Sequence, residues 1–280
     1  MKLAELARRR PLACYFALAY LVSGIALAVV GLPKLHGASG RPMMSLVMFP
    51  VMVVSIGLIG IALTSVTDGR DGLRRLRSQF RRRVAPRWLA LLLLPPAGIV
   101  AVLYLLARTV SAQFTPQFFV FGIAAGAVAG FCEEIGWTGF AYPRMRARLG
   151  WLPSALLLGA LWGIWHLPVV DSLGAASPHG VYWPGFFAAF VAVLVAMRVL
   201  IAWAYVRTGS LRIAQLLHAS STGFLVILGA PHVTPAQEAL WYGIYAAVLW
   251  AVVAIVVSIQ RAHAFAAQAD PAAEYVAATR

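Results

Sequence analysis

Eight stretches of the chain are apolar on every side, with no alternation separating a wet face from a dry one. They run Leu12–Val30, Met44–Thr64, Trp88–Leu106, Phe118–Phe140, Pro153–Val170, Val181–Ala204, Leu211–Leu228 and Ala239–Ile259. A helix needs about 20 residues to cross a hydrocarbon core of roughly 30 Å, and most of these stretches reach that length. Leu211–Leu228 is shorter and more polar, with Gln215 and Ser220–Thr222 inside it. Only helices and closed barrels satisfy every backbone group in lipid, and barrel strands would alternate over about 10 residues. The pattern therefore predicts an all-α polytopic membrane protein with about eight transmembrane helices, forming one integral membrane domain over residues 1–280.

Composition agrees. The chain is 61% hydrophobic and 11% charged, against about 25% charged in a soluble domain, so an ordinary soluble enzyme is excluded. The net charge of +14 tests the layout. With these eight spans, 19 of the 23 lysines and arginines fall on one side, and the positive-inside rule makes that side, with both termini, cytoplasmic. Eight of the arginines lie in the basic loop 67–87. There Leu73, Leu76, Phe80 and Val84 share one helical face, which predicts an amphipathic helix lying against anionic lipid headgroups, and not a nucleic-acid surface. The first span is read as an uncleaved membrane anchor, being longer than a signal-peptide core of 7–15 residues. Cys14 and Cys132 both fall in spans and imply no disulfide framework. Trp88, Trp183, Trp203 and Trp241 lie near span ends and read as interfacial anchors. The abundance of Ala, Arg and Gly suggests a bacterial source, hence a bacterial plasma membrane.

Nine acidic residues and six histidines are present, and few of them lie in the spans. Only Glu133 and Glu134, on span four, lie well inside an apolar run. Only His166, on span five, and His218, on span seven, are intramembrane histidines. Arg198 lies within span six. Ionisable groups in a span are costly to insert and by default mark a site. Two carboxylates and two imidazoles are the groups that acid–base chemistry on water requires. Glu134 and Thr138 are four apart on one helix face, as are Glu133 and Trp137. The two glutamates themselves point about 100° apart, so one is expected to be catalytic and the other structural. Trp162 and His166, and likewise His218 and Thr222, repeat the four-residue spacing.

These segments resemble the CPBP family of intramembrane proteases (the Abi, or CAAX-protease-and-bacteriocin-processing, family), which includes the type II CAAX prenyl endopeptidases. Glu133-Glu134 with Trp137 and the run Gly139-Phe140-Ala141-Tyr142-Pro143 looks like its first motif. Trp162-xxx-His166 resembles its second, and His218-xxx-Thr222 its third. They come in the family order, with a family-like core over about 118–230. Two positions depart: Thr138 stands where the first motif has arginine, and Thr222 where the third commonly has asparagine.

The resemblance implies hydrolysis of a peptide bond without a covalent intermediate. Glu133 would be the general base, His166 would hold and polarise the water, and His218 and Thr222 would stabilise the oxyanion. Glu134, Thr138 and Trp162 would support them. Trp162 and Trp165 read first as packing residues. With threonine at 138, Glu134 needs another cation, for which Arg144, Arg146, Arg198 and Arg212 are the candidates. A zinc ion held by Glu133, His166 and His218 is the alternative to a metal-free glutamate mechanism, which is favoured because the His-Glu-xx-His helix motif is absent. The substrate would be a membrane-anchored protein or peptide cut near the cytoplasmic face. The competing readings are a catalytically impaired relative acting as a binding or bacteriocin-immunity protein, and a proton-coupled transporter.

Overall fold

A computed structural model describes residues 3–31, 41–171 and 180–269. Every regular element among them is helical. The elements are α1 (Leu3–Arg9), α2 (Pro11–Gly31), α3 (Arg41–Arg81), α4 (Leu94–Thr109, entered through a 3-10 segment Pro86–Leu93), α5 (Phe121–Gly136), α6 (Tyr142–Leu149), α7 (Trp151–Trp165), α8 (Leu167–Val170), α9 (Trp183–Thr208), α10 (Leu211–Ile227) and α11 (Pro235–Ala269). Each of the eight apolar stretches forms helix.

Among the described residues, five helical stretches are long and apolar enough to cross a membrane: Pro11–Gly31, Leu46–Arg81, Pro86–Thr109, Trp183–Thr208 and Pro235–Ala262. The other three expected spans are shorter. At about 1.5 Å per residue, the 15 residues of α7 and the 17 of α10 fall short of a roughly 30 Å core. The same holds for the 16 residues of α5. Of the intramembrane ionisable residues, Glu133 and Glu134 are on α5, His218 is on α10 and His166 immediately follows α7, while Arg198 is on α9. The short helices lie inside and the long ones around them, save α9: its apolar window is 67% buried, against 28–33% for the other long helices. Trp241 is not an interfacial anchor. It is 5% exposed and packs on Tyr242 and Tyr245, because α11 turns that face onto its neighbours.

Close approach at α5 comes from glycine. Gly122, Gly126 and Gly130 form one stripe at four-residue spacing, the side on which they meet α10. A Cβ on Gly126 would lie 2.4 Å from the Ala219 carbonyl oxygen, and one on Gly130 2.4 Å from that of Gln215. On α5's contact with α3, Gly57 and Gly60 play the same part: their added Cβ atoms would meet the Cys132 oxygen at 2.7 Å and Gly136 Cα at 2.8 Å. Small residues of this kind let intramembrane backbones touch, and here they clamp α5 between α3 and α10.

The basic loop begins with a break inside α3. Gly69 has φ 62 and ψ −150, a region that only glycine occupies readily. Beyond it residues 70–81 are helical and carry Leu73, Leu76 and Phe80, but the helix ends at Arg81, so Val84, the fourth residue of the expected face, lies past it. Leu73, Leu76 and Phe80 border a cavity of about 450 Å³ over α5 and α10 that also contacts Phe131 and Cys132. Asp68 ties the corner through Arg75 at 3.0 Å and Arg144 at 2.9 Å. Gly69→Ala is expected to cost about 1–3 kcal/mol, seen as a lower melting temperature of the detergent-solubilised protein. An unchanged melting temperature would mean that the corner is not required.

Candidate active site

The glutamate pair ends α5. There the helix widens into a π turn, Trp137–Ala141, a distortion frequent at functional sites. Both glutamates are fully buried and, pointing apart, take different partners.

Glu133 Oε2 accepts two indole N–H bonds, from Trp137 at 3.0 Å and from Trp162 at 2.8 Å. Its Oε1 is buried and has no hydrogen-bond partner in the protein. One oxygen thus fixes the carboxylate and the other is left free. Glu134 is saturated instead. Arg198 grips it with a fork, Nη2 to Oε1 at 2.8 Å and Nη1 to Oε2 at 2.9 Å. Thr138 Oγ1 donates to Oε2, and His218 Nδ1 lies 2.7 Å from Oε1. Of the four candidate cations the partner is therefore Arg198, from α9. Arg144 belongs to the corner at Asp68.

Both histidines are oriented through Nδ1. Helix α7 stops at Trp165 because Pro168, two residues past His166, has no N–H to continue it. The His166 amide turns to the Gly163 carbonyl, and the freed Trp162 carbonyl is 2.8 Å from His166 Nδ1. A carbonyl only accepts, so Nδ1 carries a proton, and in the neutral imidazole it is Nε2 that holds the lone pair. On His218, Nδ1 faces the Glu134 carboxylate, and Nε2 is buried without a protein partner. Helix α2 holds the end of α7 in place: Tyr20 donates to the Leu161 carbonyl, Ser23 to that of Trp165, and Trp165 Nε1 to that of Ala19.

Trp162 is more than packing. Beyond its bond to Glu133, its ring lies edge-on to His166 and His218 at centroid distances of 5.4 and 4.8 Å, and Arg198 Cζ sits 4.4 Å over its face. One indole thus touches Glu133, both histidines and Arg198. Thr222 is half-buried on the wall of a second cavity, about 240 Å³, shared with His166 and lined by Phe49, Phe121, Phe186 and Phe190. That cavity lies between the N-terminal parts of α3, α5, α9 and α11, with α8 and the C-terminal part of α10, away from the arginine-rich corner of α3.

Zinc is tested by its ligands. Among the described residues no three His, Cys, Asp or Glu side chains come together as a metal site. One oxygen of Glu133 is capped by two indoles, and Glu134 is spent on Arg198 and His218. The expected trio of Glu133, His166 and His218 is near one indole but is not assembled as a coordination set.

Sequence reasoning did not assign Trp137 its role as a donor to Glu133, although the four-residue spacing marks it. It also left Arg198 as one of four candidates, although Arg198 is the one arginine inside a span.

Residues 115–224 match a family model described as type II CAAX prenyl endopeptidase Rce1-like. The match contains Glu133, Glu134, His166, Arg198, His218 and Thr222. Over 60 residues, 21% of the chain, the sequence is 32% identical to the CAAX prenyl protease 2 of Methanococcus maripaludis, and the match spans 20% of that relative. Both findings support a relation to the CPBP family.

Proposed function

We propose that the chain is an intramembrane endopeptidase that hydrolyses a peptide bond in a membrane-associated protein or peptide, without a metal. The observation that carries this is Glu133: one oxygen pinned by two indoles, the other buried and free.

The partners divide the labour. Glu133 Oε1 takes a proton from water while the water oxygen attacks the scissile carbonyl. His166, whose Nδ1–H is held by the Trp162 carbonyl, works as the neutral imidazole, accepting the water's second hydrogen at Nε2 and orienting it. His218 faces an ionised carboxylate and works as an imidazolium. With Arg198 positive and both glutamates negative, that charge makes the buried cluster neutral, which the low-dielectric interior favours. Its Nε2–H then donates to the oxyanion, with the Thr222 hydroxyl as second donor. Each such donor is worth about 2.7–4 kcal/mol of barrier. Glu133 passes its proton to the leaving nitrogen as the C–N bond breaks. The aromatic cavity beside His166 and Thr222 receives the apolar part of the substrate.

The reading of an impaired relative rested on the missing arginine at 138. Arg198 brings a guanidinium to the same carboxylate, which weakens that reading.

The test is cleavage of an internally quenched, prenylated CAAX-type peptide by the full chain reconstituted in liposomes. Turnover is expected, with no loss on incubation with a zinc chelator. Loss of activity restored by zinc would move water activation to a metal. A wild-type protein that cleaves neither this peptide nor its unprenylated form would favour the binding role.

A further inference from the structure

Arg198 is at once the most buried arginine among the described residues and the residue that touches both halves of the site. It is 0% exposed, two-thirds of the way along α9, the most enclosed long helix. The edge of its guanidinium engages Glu134 through two bonds of 2.8 and 2.9 Å, and Glu134 in turn holds His218 Nδ1 at 2.7 Å. Its face lies 4.4 Å from the Trp162 ring, and Trp162 in turn holds Glu133 Oε2 at 2.8 Å. The edge therefore leads to the oxyanion donor and the face to the base.

Resting on the protease reading above, we infer that Arg198 is the positioning residue of the active site, fixing the His218 imidazole through Glu134 and the Glu133 carboxylate through Trp162, from a different helix than the one on which the first motif places its arginine. Arg198 does not line the aromatic cavity, so it acts through these neighbours and not on the substrate. Lysine cannot replace it, since an ammonium has neither the fork that matches a carboxylate nor a flat face to stack on an indole.

The side chain at 138 reaches the same place. Thr138 Oγ1 lies 3.2 Å from Arg198 Nη1 and donates to the same Glu134 oxygen. A guanidinium borne by position 138 can thus occupy the volume that Arg198 vacates, and the charge can be moved between helices.

The experiment compares wild type, Arg198→Met, Arg198→Lys and the swap Thr138→Arg/Arg198→Met, each as the full chain in detergent micelles. The first readout needs no substrate: histidine 15N NMR, with the His218 resonance assigned by its loss in His218→Gln. Wild type and swap are expected to show the Nδ1 proton of His218 bonded to carboxylate. Arg198→Met and Arg198→Lys are expected to lose it, with the two ring nitrogens averaging. The second readout is peptide cleavage, where kcat falls about 10²-fold, the scale of a small misplacement of catalytic groups, while KM holds. A purely structural arginine would lower the melting temperature without moving the His218 signal or splitting kcat from KM. Should Arg198→Met fail to fold, the swap decides alone: recovery of the fold together with the His218 signal supports the inference. A swap that lacks that signal, or an Arg198→Met protein that keeps it, overturns it. A His218 signal that follows the arginine in a protein cleaving no peptide would refute the protease reading while leaving the positioning role intact.

Discussion

Glu133→Gln is expected to abolish turnover and leave the protein stable, whereas Glu134→Gln is expected to unfold it first. The two substitutions are chemically identical and one residue apart, so the contrast isolates the partners. At 133 a glutamine oxygen can still accept from Trp137 and Trp162, and the free Oε1 had no protein partner to lose. What disappears is the base, worth about 10²–10⁴-fold in rate. At 134 the change strips the counter-charge from a guanidinium buried on α9. Breaking a buried pair from one side costs about 3–5 kcal/mol, a large share of the marginal stability of a typical domain. Adding Arg198→Met to Glu134→Gln removes both charges and should recover much of the melting temperature, but not activity, because His218 Nδ1 then faces a neutral amide in place of the carboxylate. Melting curves and cleavage rates of the three proteins check this. Equal loss of stability at 133 and 134 would dissolve the division of labour between the glutamates.

The same pair shows what a sequence can and cannot carry. That Glu133 and Glu134 have different jobs follows from helical geometry alone, since neighbours on a helix face apart. That Glu133 meets Trp137 and Glu134 meets Thr138 follows from the four-residue spacing. The partners supplied by other helices are another matter. Arg198 stood apart from Arg144, Arg146 and Arg212 only by lying inside a span, and it took packing to bring α9 to Glu134 and Arg144 to the Asp68 corner. Trp162 read as packing, because nothing local distinguishes an indole that fills space from one whose N–H meets a carboxylate 29 residues earlier.

Helix existence was plainer than helix length. Apolar runs predicted helices at all eight places, but a hydropathy run does not register a π turn after Gly136 or a stop at His166 before Pro168. Those two features shorten α5 and α7, and the stop at His166 also frees the Trp162 carbonyl that meets His166 Nδ1. An irregularity that hides from an apolar pattern thus orients one of the two histidines.

Gly126→Val is expected to be the most damaging substitution that touches no chemical group of the site. A Cβ there would lie 2.4 Å from the Ala219 oxygen and 2.6 Å from Gly223 Cα. Both are backbone, so no rotamer relieves the clash and the helices must separate by about an ångström or more to reach ordinary contact of roughly 3.5–4.0 Å. Overpacking of this kind typically costs about 1–3 kcal/mol, occasionally more. The functional consequence should exceed the loss of stability. Glu134 lies two turns beyond Gly126 on α5, and His218 is the residue next to Ala219 on α10, so spreading the helices at Gly126 pulls directly on the 2.7 Å contact between Oε1 and Nδ1. The control is Gly24→Ala on α2, where an added Cβ would meet nothing within 4 Å and where alanine is favoured over glycine in a helix by about 0.5–1 kcal/mol. Gly126→Val should lose both melting temperature and turnover, and Gly24→Ala neither. If Gly126→Val retained full turnover, a tight α5–α10 seam could not be what holds the two halves of the site together.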